Sequence, residues 1–323
     1  LDAKERTLQL ALHNLYVSFT EMKTIRAAIT GGWLWELVEQ RASVNPSLYD
    51  ALRVLREPQH LHWLENYEPT SKKTALFYTG PQTIYRPTIF RYHTRLFTRY
   101  ETLLKTTIVF PEGTKPYSMF YSREIIRILK KKNVNFVVNS HLGPIPFELD
   151  EMYPLAQSVF PDEIDQETKE KVQQVVDRFL KNKIVIHWDE YNTIKEKKSL
   201  KQNVDLDIRR ISAVADMQFG RGASKALLDG DITIIKSKRT GKIRNIICDG
   251  SHVISMRAED GLFTLKLDGG RRLHKGLKNP LLRVVVTDDA VPFVKEGKSV
   301  FAKFVKDCAP DLRSEEHTLN SSH

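Results

Sequence analysis

Cysteine is almost missing from this 323-residue chain: there are two, Cys248 and Cys308, too far apart for a Cys-x-x-Cys pair. That scarcity excludes a disulfide framework and fits a protein of the reducing cytoplasm. No apolar run approaches the roughly 18 residues that a membrane-spanning helix needs, and no secretory signal opens the chain, so no membrane partner is expected. Repeats and low-complexity tracts are lacking too. With 41% hydrophobic and 28% charged residues, wholesale disorder is excluded, and the length allows two or three domains with real cores.

What the chain does have is unevenly placed positive charge. Between Arg221 and Val286, 14 Lys and Arg stand against 6 Asp and Glu, a net of +8, while the whole chain carries +10. About one fifth of the length thus holds most of the excess. Short β-branched runs broken by Gly-containing turns fill the same stretch, and Asp249-Gly250 is a hairpin signal. Strands are expected at 232–237, 243–248, 252–257, 263–267, 282–287 and 300–305, which suggests a small, partly open barrel. Charge concentrated on one β-domain suits a polyanionic partner, although a basic face kept for solubility has the same composition. The candidate contact residues for such a partner are Arg221, Lys225, Lys238, Arg239, Lys242, Arg257, Arg271, Arg272, His274 and Lys275.

The rest of the chain alternates helices and strands. Leu8, Leu12, Leu15, Phe19, Met22, Ile25 and Ile29 recur at helical spacing until Gly31-Gly32, and shorter helices follow near 33–39 and 47–56. Residues 67–73 read as a polar linker. A helix from about Pro87 carries Arg91, Arg95 and Arg99 on one face beside Tyr92, Phe97 and Tyr100, which suits either a solvated face or contact with phosphates and bases. Strands at 106–110, 135–140 and 184–188, with helices at 122–132 and 167–181, point to an α/β unit. Pro144 and Pro146 argue against a central strand there, and 189–201 reads as a charged helix.

These stretches carry a resemblance. ALHNLYVSFTEMKTIRAAITGGWLWELVEQR is similar to the terminal helix of the catalytic barrel in archaeosine tRNA-guanine transglycosylases. FGRGASKALLDGDITIIKSKRTGKIRNIICDGSHVISMRAEDGLFTLKLDGGRRLHKGL resembles the PUA RNA-binding domain of that family, and ALFYTGPQTIYRP and FELDEMYPLAQ resemble its accessory domains. The resemblance implies a mixed α/β (α+β) chain divided into 1–66, the end helices of a TIM-type barrel; 67–134 and 135–220, two accessory domains; and 221–312, a truncated small β-barrel PUA domain. Residues 313–323, RSEEHTLNSSH, resemble the translation of a sequencing-library adaptor.

The family exchanges guanine-15 of the tRNA D-arm for 7-cyano-7-deazaguanine, through a nucleophilic aspartate on the barrel. The resemblance therefore implies tRNA and a deazaguanine base as partners, a homodimer as a further expectation, and a pentosyltransferase as the parent activity. It carries no catalytic aspartate onto this chain, so the chain alone is expected to be inactive. A structural zinc in the family uses a Cys-x-Cys-x-x-Cys cluster and a His opening the terminal helix. His13 stands at that position, without the cysteines.

Two related readings remain open. One is a separately encoded, non-catalytic tRNA-binding subunit of a split transglycosylase. The other is the paralogous archaeosine synthase, whose motif runs Pro-Cys, three residues, Lys-Pro-Tyr, then Ser and His. Lys115, Pro116 and Tyr117 match that motif, whereas Pro111, Phe120 and Arg123 replace its Cys, Ser and His, so the segment is expected to be a structural turn.

Overall fold

A computed structural model describes residues 2–102, 104–130, 133–193, 205–279, 281–310 and 312–313. Residues 2–66 are helical: α1 (Ala3–Gly31), α2 (Leu34–Ala42), α3 (Pro46–Val54) and α4 (Pro58–Glu65). Asp2 caps α1 by accepting from the Glu5 N–H at 2.8 Å. Gly32, at φ 72°, ends it in the left-handed conformation that glycine adopts without strain. Proline at the first position starts both α3 and α4. The apolar stripe of α1 faces outward: Leu8 is 65%, Leu15 57% and Phe19 66% exposed, and only Ala28 of this helix is buried.

The centre is one α/β unit. After β1 (Leu76–Phe77) come α5 (Pro87–Thr98), β2 (Thr106–Phe110), α6 (Tyr117–Phe120), α7 (Ser122–Leu129), β3 (Asn135–Ser140) and β4 (Gly143–Pro146). Then follow β5 (Ser158–Val159), α8 (Gln166–Leu180), β6 (Ile184–His187) and α9 (Trp188–Thr193). The main sheet has the order β4-β3-β2-β6, with β2 parallel to both β3 and β6 and β4 antiparallel to β3. Thr107 pairs with Asn135, so one sheet crosses the 134/135 boundary drawn from sequence. Pro144 and Pro146 are accommodated because β4 lies at the sheet edge, where a missing N–H breaks no inner ladder. Ile108, Phe110, Phe136, Val138 and Ile145 are all at most 1% exposed, and α8 buries Val172, Val176 and Phe179. Most of the charged helix expected over 189–201 lies outside the described residues.

From α10 (Leu206–Phe219) and α11 (Ala223–Leu227) the chain enters a four-stranded antiparallel sheet. Its strands are β7 (Ile232–Lys236), β8 (Ile243–Cys248), β9 (Ser251–Met256) and β10 (Phe263–Leu265), in the order β10-β9-β8-β7. Next come α12 (Leu267–Gly276), β11 (Val284–Val286), α13 (Val291–Lys295) and β12 (Val305–Cys308), with β11 and β12 forming their own antiparallel pair. The six strands expected from sequence therefore split into a sheet of four and a sheet of two, the last displaced to Val305–Cys308. No closed barrel occurs among the described residues. The mixed α/β class is as expected.

Candidate nucleic-acid interface

The basic sheet is locked to the α/β unit along one seam. Gln218, at the end of α10, donates from its side-chain nitrogen to the Phe263 carbonyl at 2.9 Å and accepts from the Phe263 N–H at 2.7 Å. This amide imitates a strand neighbour for β10. The Tyr153 N–H donates to the Asp260 carbonyl at 2.9 Å, and the Asp260 carboxylate accepts from Ser71 at 2.8 Å. The hairpin between β8 and β9 turns on Asp249 at φ 50° and Gly250 at φ 77°, the pair of left-handed residues that a two-residue turn requires.

Helix α12 covers the sheet. Gly269 lies so close to β9 that a Cβ would stand 2.1 Å from the Val253 carbonyl oxygen, and one on Gly276 would stand 2.4 Å from the Ala226 Cβ. That second approach crosses α12 with α11, bringing together the segments that carry Lys225 and Lys275. Arg283 donates to the carbonyls of His274 at 2.5 Å and Leu277 at 3.0 Å, closing the carboxyl end of α12 with a cation, where the helix dipole favours one.

The ten basic residues read from sequence separate into three groups. Arg257 is half-buried and bound to buried Asp260, with Nε to Oδ1 at 3.0 Å, so it pins the β9–β10 turn and is withdrawn from solvent. Arg272 donates to the Asp229 carbonyl at 2.5 Å and the Asp249 carboxylate at 2.8 Å, and a backbone bond from Asp231 together with Arg272 holds the Asp249 carboxyl below its ordinary range. Both thus act as structural staples of the sheet's turns. Arg221, Lys242 and Arg271 reach outward but meet Glu101 at 2.8 Å, Glu151 at 3.2 Å and Asp268 at 3.0 Å. Lys225, Lys238, Arg239, His274 and Lys275 are exposed, and no ion pair engages them among the described residues. Lys238 and Arg239 occupy the β7–β8 turn, while Arg271, Arg272, His274 and Lys275 lie on a helix instead of the strands and turns expected. Arg244, Lys266 and Lys278 are exposed too and belong to the same charge count.

The arginines of α5 form neither a solvated nor a nucleic-acid face. Buried Arg91 binds Glu65 at 2.7 Å and the carbonyls of Glu65, Glu68 and Pro69, and Arg99 donates to the carbonyls of Met217 and Gln218 at 2.9 Å each. Arg86, 2% exposed, binds Glu39 at 2.5 Å and Glu36 at 3.0 Å.

At the end of β2, Lys115 donates to the Ser158 carbonyl at 2.8 Å and its hydroxyl at 2.5 Å, and burial lowers the Lys115 pKa. The Tyr117 hydroxyl donates to Glu112, which also accepts from the His141 N–H at 2.9 Å. Burial first, then the Glu112 charge, pushes the Tyr117 hydroxyl far upward. Lys115 and Tyr117 are thus held by intramolecular hydrogen bonds, with Pro116 capping α6.

His13 lies in the interior of α1, ten residues beyond its first residue, so it does not open the helix. Its side chain is exposed, and among the described residues no group of three His, Cys, Asp or Glu could hold a metal. The residues present do not make a zinc site.

Comparison with known proteins places these features in a family. Residues 209–280 match the patch-forming domain C2 of tRNA-guanine transglycosylase, and 89–220 match a domain of unknown function, DUF5591. The C2 domain thus falls on most of the basic region for which a PUA domain was expected. A tRNA-guanine(15) transglycosylase of Methanobrevibacter smithii is 38% identical, over 98% of this chain and 50% of the relative. One from Methanosphaera stadtmanae is 36% identical, over 99% of this chain and 51% of the relative. A crystal structure of AF0587, a protein of unknown function, aligns with TM-score 0.43 and 16% identity, covering 67% of this chain and 82% of that one. The chain spans about half the length of the curated relatives it matches, and along nearly its whole length it is a homologue of the archaeal tRNA-guanine(15) transglycosylases.

Proposed function

We propose that this chain is the tRNA-gripping half of a tRNA-guanine(15) transglycosylase that replaces guanine-15 with 7-cyano-7-deazaguanine. The observation that carries the reading is the set of exposed cations Lys225, Lys238, Arg239 and Lys275, without ion-pair partners among the described residues, together with exposed His274, on the domain matched to the transglycosylase C2 domain. Exchanging a base requires taking it out of its stack, which costs a few kcal/mol, so grip far from the reacting atoms offsets part of that cost. The outward apolar stripe of α1 supports the same reading, because it offers a face on which a catalytic domain could pack. An aspartate nucleophile belongs to that other half, and this chain supplies binding.

Purified chain should bind tRNA in preference to random single-stranded RNA of equal length and should not exchange labelled guanine into tRNA. Equal competition by the two RNAs would reduce the reading to a general polyanion binder, and guanine exchange would overturn the division of labour. Retention of Lys115 favours archaeosine synthase as a second reading. Lys115→Ala that abolishes a base-modifying activity while sparing tRNA binding would establish it.

A further inference from the structure

On the seam lies an open cavity of about 290 Å³ between α6–α7 and the β7–β8 hairpin. Its walls are mainly apolar: Met119, Ile125, Phe136, Phe147, Ile243 and Met256. Phe136 and Phe147 stack at 5.7 Å, with their planes 20° apart, while Met119 stays 59% exposed. The three carboxylates of the lining are paired, Glu148 with Arg209, Asp207 with Lys236 and Glu151 within the cavity. Arg210 donates to Ser118 at 2.9 Å and Asp150 at 3.0 Å and pairs with Glu151 at 2.5 Å, and Lys242 meets the same Glu151 at 3.2 Å.

Size, lining and surroundings narrow the occupant. The volume is at the small end of the roughly 300–1,000 Å³ of drug-sized pockets, which suits one planar ring system and excludes a helical segment. Apolar and aromatic walls with a few fixed polar groups are how proteins hold an unstacked base. Thr240, Gly241 and Lys242 line the cavity, and they continue directly from exposed Lys238 and Arg239 in the same turn. Cations beside a base-sized apolar cavity combine backbone neutralisation with base insertion, the pairing used on single-stranded nucleic acid.

We propose that this cavity receives one unpaired nucleobase of the bound RNA, with Lys238 and Arg239 on the adjoining phosphates. The proposal rests on the RNA-binding reading above and adds a specific anchoring point to it. An unstacked base seated here gives a grip specific for unpaired segments, which the cationic surface alone does not supply.

The test uses the full chain, a tRNA transcript carrying 6-thioguanosine, and the variants Met119→Trp, which plugs the mouth, and Met119→Ala, which leaves it open. Expected are photocrosslinks within 117–129 or 251–257 in wild type, and about tenfold weaker tRNA binding by Met119→Trp with loss of those crosslinks. Met119→Ala should bind within about twofold of wild type, and thermal unfolding should show both variants folded. Wild type that binds no tRNA overturns the RNA-binding reading and this proposal with it. Tight tRNA binding that Met119→Trp leaves unchanged, with crosslinks elsewhere, overturns the cavity's role alone. Occupancy by free guanine while the RNA crosslinks map outside the cavity would make it a small-base site and overturn the strand-anchoring proposal.

Discussion

The arginines around α5 and the cations of the C2-matched domain are the same chemistry put to opposite uses. Arg86 and Arg91 are buried and fully engaged with carboxylates and carbonyls, so they join α2, α4 and the linker to the α/β unit. Lys225, Lys238, Arg239 and Lys275 are exposed, without ion-pair partners among the described residues. A buried cation that loses its partner leaves an uncompensated charge, whereas an exposed one that is lost changes mainly what the surface attracts. Burial and pairing, not the count of positive residues, decide which group holds the protein together and which is left facing solvent.

The largest effect that would sharpen this contrast is on stability. Arg86→Ala strands buried Glu39, while Glu36 keeps Lys72, and should cost about 3–5 kcal/mol in denaturant unfolding. A loss below about 1 kcal/mol would show that the clamp is not structural.

A second effect concerns pH. Burial and, less strongly, Lys171 hold His93 at a pKa of about 4, against the opposing pull of its 2.7 Å contact with the Leu142 carbonyl. The folded state keeps His93 neutral, while the unfolded chain takes up a proton below about pH 6.5. Its contribution is therefore complete above about pH 6.5 and is lost as the pH falls toward 4, by up to about 3 kcal/mol. His93→Gln should flatten that part of the stability–pH curve, and an unchanged curve would assign the acid sensitivity to other groups.

The smallest effect lies on the surface. Arg271→Ala removes an exposed pair with Asp268 and should change stability by no more than about 0.5 kcal/mol. A larger loss would move Arg271 into the structural group.

Much of the fold was legible because it rests on local signals. The hydrophobic period of α8, the strand at 106–110 and the Asp249-Gly250 turn are short-range features, and all three stand where the sequence put them. Helix α12 was not legible, since Gly269-Gly270 reads as a breaker. The reason for Gly269 is the Val253 carbonyl beneath it, a contact from another element. The division of the cations was equally hidden. Arg221 finds Glu101 and Lys242 finds Glu151 from distant parts of the chain, whereas Lys238 and Arg239 find no ion-pair partner among the described residues. The apolar stripe of α1 was readable as a helix, but periodicity says nothing about whether that stripe is covered within the same chain.

The central claim is that the unpaired cations are the tRNA-gripping surface. Salt titration of tRNA binding by wild type and by the triple variant Lys238→Glu, Arg239→Glu, Lys275→Glu tests it most directly. Each phosphate contact contributes roughly 0.7–0.9 to the slope of log affinity against log salt, so the variant should bind more weakly with a slope shallower by about 2–3. Its unfolding midpoint should match that of wild type. Equal affinity and equal slope in the two proteins would contradict the account.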